Sequence, residues 1–188
     1  DLKGSLVEQA TEENSFNSIM GELYGQSTTT VGLNDLLNNI ALAKDNDNSL
    51  VVIEYANSEI GTVQDIKTIS SIVHKKNGKL FVDCTGSIST IPLDVTGLNI
   101  DIATFSAHKI GGPIGVGALY VRKGVPFKPL IIGGNQEKKR RGGTYNTVGI
   151  VGFGTALARV LKNETWKKYD TEVRRLRDLL AKRILAEI

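Results

Sequence analysis

Short apolar runs alternate along the chain with stretches whose apolar residues recur every three or four positions. "GLNDLLNNIALAK" (32–44) places apolar residues at 33, 36, 37, 40 and 41, the spacing of one helix face. "NSLVVIEYA" (48–56) is a continuous apolar run behind polar residues, as suits a strand buried on both faces of a parallel sheet. "IKTISSIVHKKNG" (66–78) is helical again, with Asn77-Gly78 as its stop. "KLFVD" (79–83) reads as a strand ending on an acid, and "DIATFS" (101–106) as one ending on a hydroxyl. "VGALYVRKG" (116–124) reads as a strand closing on a Lys123-Gly124 turn.

"TVGIVGFGTALARVLK" (147–162) is an apolar helix rich in small residues, with Asn146 or Thr147 as its N-cap. From 164 to 188 a stripe of Trp166, Tyr169, Val173, Leu176, Leu180 and Ile184 predicts one long amphipathic helix, with the stripe used for packing. Strands alternating with helices indicate an α/β layer sandwich with a mainly parallel sheet. In such sheets ligands gather at the carboxyl ends of strands. That rule directs attention to Asn57, Asp83, Ser106, His108 and Lys109.

The chain's 188 residues suffice for one real core but not for two large domains. A net charge of +3 gives no argument for a nucleic-acid partner. No apolar run approaches membrane-spanning length, so no membrane partner is expected. The densest basic run, "EKKRR" (137–141), reads as a solvated loop. Cys84 is the one cysteine, which excludes an internal disulfide and fits a reducing compartment. The opening residues read as neither a signal nor a transit peptide. The final helical pattern runs to the last residue without a capping signal, which suggests a longer parent.

Taken singly, Asp83 reads as a helix N-cap and Lys109 as a surface lysine. Together, on neighbouring strand ends, they match what pyridoxal 5'-phosphate demands. A lysine inside an α/β core, its charged form disfavoured by burial, can attack a carbonyl. An acid keeps the pyridine nitrogen protonated so that the ring acts as an electron sink. Ser106 and His108 add a hydroxyl and a ring N–H suited to a phosphate, and the glycines of "GGPIGVG" (111–117) let backbone pass close to the lysine. A nucleotide phosphate loop has its glycines before the lysine; here they follow it.

Four stretches resemble the cysteine desulfurases, in the class V aminotransferase branch of fold-type I pyridoxal-phosphate enzymes. "ANSEIGTVQDI" (56–66) is similar to the family's "VNNEIGVVQDI". "FVDCTGSISTIPLDVTGLNIDIATFSAHKIGGPIGVGALYVRKG" (81–124) follows its acid strand, lysine strand and glycine loop without a gap. "GGNQEKKRRGGTYN" (133–146) resembles "GGxQExxxRxGTxN", and "GSLVEQATEENSFNSI" (4–19) looks like the segment written "TEHNSV".

The resemblance implies a three-layer α/β fold, with residues 1–162 a partial cofactor-binding large domain and 163–188 a long helix leading toward a small domain. It implies Lys109 as the Schiff-base lysine and catalytic residue, Asp83 at the pyridine nitrogen, and Ser106 and His108 at the phosphate. Thr144 would reach the phosphate of a neighbouring subunit, hence a homodimer, and Arg141 would order that element or handle the substrate carboxylate. The implied substrate is L-cysteine, giving alanine and a persulfide for a sulfur-acceptor protein or iron–sulfur cluster assembly. No metal is implied, and the location would be cytoplasmic, or the mitochondrial matrix in a eukaryote.

Some positions depart from the family. Glu13 falls where a histidine stacks on the ring, Ser58 where a second Asn stands, and Gly86 where a Gln holds the ring oxygen. "ATEENS" also resembles the phrase "GATE", which would make Thr11 a phosphate ligand instead. Cys84 reads as a small apolar filler, not the sulfur-accepting nucleophile. Two other readings stand beside the first: a class V aminotransferase or selenocysteine lyase, and a non-catalytic homologue acting as scaffold or dimer partner.

Overall fold

A computed structural model describes residues 49–187 and the strand Leu6–Gln9. The helix expected at 32–44, and Thr11 and Glu13, lie outside the described residues. Five strands form one sheet in the order β1-β2-β3-β4-β5: Leu6–Gln9, Leu50–Glu54, Lys79–Asp83, Ile102–Ser106 and Gly117–Val121. The first four are parallel, in register Leu6↔Leu50, Leu50↔Lys79 and Phe81↔Ile102. β5 turns back antiparallel to β4: the Arg122 amide donates to the Asp101 carbonyl and the Ala107 amide to the Val116 carbonyl. The α/β fold read from the pattern is therefore the fold observed.

The residues group into two compact units. The first contains residues through Cys84 together with Asp94–Thr104 and Leu119–Phe127. In it, β2 buries Val51, Val52 and Ile53 in succession, as a strand covered on both faces must. β3 buries Leu80 and Val82. Helix α1 (Ile66–Lys75) presents Ile66, Ile69, Ser70 and Val73 inward, the 3- and 4-residue spacing of one face. Its N-cap is Asp65, whose carboxylate accepts from the Thr68 amide at 3.1 Å and the Thr68 hydroxyl at 2.6 Å. Past the helix end, Asn77 takes a left-handed conformation, as its expected role as a stop requires.

The second unit contains Thr85–Leu93, Phe105–Ala118 and Lys128–Ile188. Helix α2 (Thr147–Asn163) buries Gly149, Phe153, Ala156 and Val160. Asn146 is its N-cap, accepting from the Gly149 amide at 3.0 Å. The single long helix expected from 164 onward is three pieces: α3 (Thr165–Lys168), a π-helical turn over Tyr169–Val173, and α4 (Arg174–Glu187). The wider turn breaks the register of the expected stripe. Trp166 is half-buried, but Tyr169, Val173, Leu176, Leu180 and Ile184 are exposed, so this stripe does not serve the packing expected of it within the described residues.

Candidate active site

In the first unit, β2 runs into the loop 56–64. Asn57 is buried, and its side-chain oxygen accepts from the amides of Glu59 and Ile60, both at 2.9 Å. The Asn57 amide donates to the Thr62 carbonyl, which closes the loop. An asparagine supplies that acceptor from a short, stiff side chain. Ser58, the next residue, is exposed.

Asp83 is the last residue of β3 and is half-buried. Its register partner on β4 is Thr104, whose hydroxyl donates to Asp83 Oδ1 at 3.1 Å. The residues after it, Thr85–Thr90, form turns and not a helix, so Asp83 is not the helix N-cap it reads as when taken singly. Cys84 is fully buried, as expected of an apolar filler. Burial pushes the nearby Tyr55 phenol above its ordinary range, and the Cys84 thiol adds to the shift.

In the second unit, β4 ends at half-buried Ser106 and passes directly into one 3₁₀ turn, Ala107–Ile110. Ala107 is buried and anchors the turn, while His108 and Lys109 are exposed. Lys109 is thus not inside the core, as expected from the strand pattern. The 3₁₀ turn lifts it clear of the sheet before the chain reverses. Gly111 closes the turn in the left-handed conformation, which a side chain would strain. At Gly112 a Cβ would lie 2.9 Å from the Ala107 carbonyl oxygen, and at Gly117 2.5 Å from that of Phe105. The glycines therefore serve close backbone passage around the lysine, as read.

The basic element also has a defined shape. Glu137, Lys138 and Lys139 are left-handed in succession, and residues 137–140 are exposed, as a solvated loop would be. The Glu137 amide donates to the Tyr145 hydroxyl at 2.9 Å, and the Arg141 guanidinium lies 5.9 Å from the Tyr145 ring centre. Arg141 also donates to the Thr144 carbonyl at 3.4 Å, and Thr144 itself is exposed.

The sequence reading missed a buried charge network in the first unit. Asp101 has no exposed surface. One carboxylate oxygen pairs with Arg122; the other accepts from His74 Nε2 at 2.7 Å and from the Leu80 amide at 2.8 Å. His74 Nδ1 lies 2.9 Å from the Asn99 amide nitrogen and 3.1 Å from the Ser70 hydroxyl. Ser70, His74 and Asp101 thus sit in hydrogen-bonding sequence. Ser70 is buried and donates to the Asn99 carbonyl, so its hydroxyl is committed to the fold and not presented to a substrate. Asp101 opening "DIATFS" was the available signal, since an acid directly before a buried strand needs donors.

Within the second unit, a hydroxyl at the end of β4 and an imidazole and a lysine on the turn after it are groups whose chemistry suits an aldehyde phosphate. Among the described residues, no group of three or more His, Cys, Asp and Glu side chains could hold a metal ion. The family model for aminotransferase class-V matches residues 25–187. A cysteine desulfurase of Nostoc sp. (strain PCC 7120) is 47% identical over 141 residues, covering 74% of this chain and 34% of the relative. The cysteine desulfurase IscS 1 of Archaeoglobus fulgidus is 45% identical over 139 residues, covering 74% of this chain and 36% of the relative. Among solved structures, a NifS-like protein superposes with a TM-score of 0.84 at 34% identity, over 98% of this chain and 52% of that one. SspA in complex with cysteine superposes with a TM-score of 0.72 at 32% identity, over 84% of this chain and 48% of that one. The chain therefore spans about a third of the length of the curated relatives it matches.

Proposed function

The chain belongs to the class-V aminotransferase family, and from that premise we propose that it performs cysteine desulfurase chemistry with pyridoxal 5'-phosphate. The observation that carries the reading is the exposed turn after β4, where Lys109 stands beside His108 and three residues after Ser106. The cofactor, when bound, supplies an electron sink that stabilises negative charge next to the substrate's amino group.

The chain's own residues do the rest. Lys109 would hold the cofactor through its Nζ, and the same atom could move a proton of the substrate. Asp83 holds the proton of the pyridine nitrogen, and Thr104 keeps that carboxylate oriented by donating to Oδ1. Ser106 and His108 donate to the phosphate. Thr144, on the element braced by Arg141 and Tyr145, donates to the phosphate of a second copy, so the working form is a homodimer.

L-Cysteine and an acceptor thiol give alanine and a persulfide: the substrate C–S bond breaks, an S–S bond forms, and the thiol proton ends on the alanine product. Cys84 is buried and is not that acceptor. The persulfide sulfur then passes to an acceptor protein, as iron–sulfur cluster assembly requires. A reducing, cytoplasmic setting accords with this thiol chemistry. The non-catalytic reading draws on Ser58 and Gly86, both exposed and both without the amide side chain of the resembling motifs.

The test is direct. With added pyridoxal phosphate the purified chain should develop a visible absorbance band that borohydride removes and Lys109→Ala abolishes. Alanine should form from L-cysteine when a dithiol is supplied. Absence of the band in the unaltered chain, or its survival in Lys109→Ala, sinks the proposal and favours a scaffold.

A further inference from the structure

Helix α2 does more than fill space behind the lysine turn. Its residue Gly152 faces Pro113, which follows the turn and its closing glycines. A Cβ built on Gly152 would lie 2.5 Å from Pro113 Cγ and 2.9 Å from Cδ. Carbon atoms do not approach that closely, and a proline ring cannot swing aside as a long side chain can. The chain from Pro113 back to Ala107 is held tightly. The Gly112 amide donates to the Ala107 carbonyl at 2.9 Å, and a Cβ on Gly112 would itself meet that oxygen. Displacement of Pro113 is therefore passed to the turn carrying Lys109 and not absorbed by slack. Gly154, two residues along the same helix, has nothing within 4 Å of its would-be Cβ.

We propose that Gly152 is a positioning residue: its missing side chain lets α2 press directly on Pro113 and sets where the Lys109 turn stands. The same helix is capped by Asn146, two residues past Thr144, so α2 braces both elements assigned to the cofactor. The inference rests on the assignment of Lys109 as the anchor, and its test separates the two.

The three variants to compare are Gly152→Ala, Gly154→Ala and the double variant Gly152→Ala with Pro113→Ala. Both single changes swap glycine for a better helix former, so propensity alone raises the melting midpoint of each by about 2 °C. Only Gly152→Ala meets Pro113. Without cofactor, hydrogen exchange at the Gly111 and Gly112 amides should quicken at least about fivefold in Gly152→Ala, the low end of what overpacking does. It should stay at the parent rate in Gly154→Ala. Pro113→Ala removes the obstructing Cγ and Cδ, so the double variant should return toward the parent. With pyridoxal phosphate, retention of the visible band should weaken by a similar factor in Gly152→Ala and recover in the double variant. If Gly152→Ala matches Gly154→Ala in exchange, or the double variant shows no recovery, the positioning role is wrong. A parent chain that shows no band defeats the anchor assignment, while the exchange comparison still decides the packing claim.

Discussion

Replacing Asp101 with asparagine is the sharpest test of the buried network. The carboxylate accepts from three donors, Arg122, His74 and the Leu80 amide, and has no exposed surface. An amide of the same shape offers one acceptor. If its oxygen faces Arg122, its NH₂ confronts the Leu80 amide and His74. If its oxygen faces those two, the NH₂ confronts a guanidinium. His74 can change tautomer to receive the NH₂, but a backbone amide cannot, so at least one donor is always stranded. Breaking a buried charged pair by altering one partner costs about 3–5 kcal/mol, and each stranded donor about 1–3 within that sum. For a chain of this length each kcal/mol moves the midpoint by about 2–4 °C. Asp101→Asn should therefore lower the thermal midpoint by about 6–20 °C, read by far-UV circular dichroism near pH 7.5, with a matching loss in urea unfolding. A change below about 0.5 kcal/mol would refute the reasoning, because it would mean the three donors find other partners or water.

Two further outcomes follow from the helix caps. Asp65→Ala should lower stability by about 1 kcal/mol at neutral pH. The bonds from the Thr68 hydroxyl and amide hold the Asp65 carboxyl below its usual range. The cap is then fully present above the ordinary carboxylate pKa near 4 and is lost as pH falls through the lower folded value. The gap in midpoint between parent and Asp65→Ala should accordingly close in acid, and a gap constant from pH 7 to pH 3 would contradict the assignment. Asn146→Ala should cost a similar amount and speed hydrogen exchange in the first turn of α2, where the Gly149 amide loses its acceptor; unchanged exchange there would argue against that cap.

The local pattern was enough for most of the fold. Strands β2, β3 and β4 follow from apolar runs that only burial on a sheet can satisfy, and α1 and α2 from apolar spacing with polar caps. These are short-range signals, carried by residues within a few positions of one another. The same holds for the lysine turn, since Ser106, His108, Lys109 and the glycines after them are contiguous. Tertiary structure decided what depends on distance along the chain. His74, Asp101 and Arg122 are separated by 27 and 21 residues, and no periodicity joins them. Asp83 lost its reading as a cap because the next residues turn and do not coil into a helix. Lys109 proved exposed because a 3₁₀ turn follows β4 directly and carries the lysine away from the strand end. Gly152 looked like one small residue among several in α2; only its 2.5 Å approach to Pro113, 39 residues earlier, separates it from Gly154. Periodicity records which face a residue offers, whereas its neighbour on that face is set by how the elements pack.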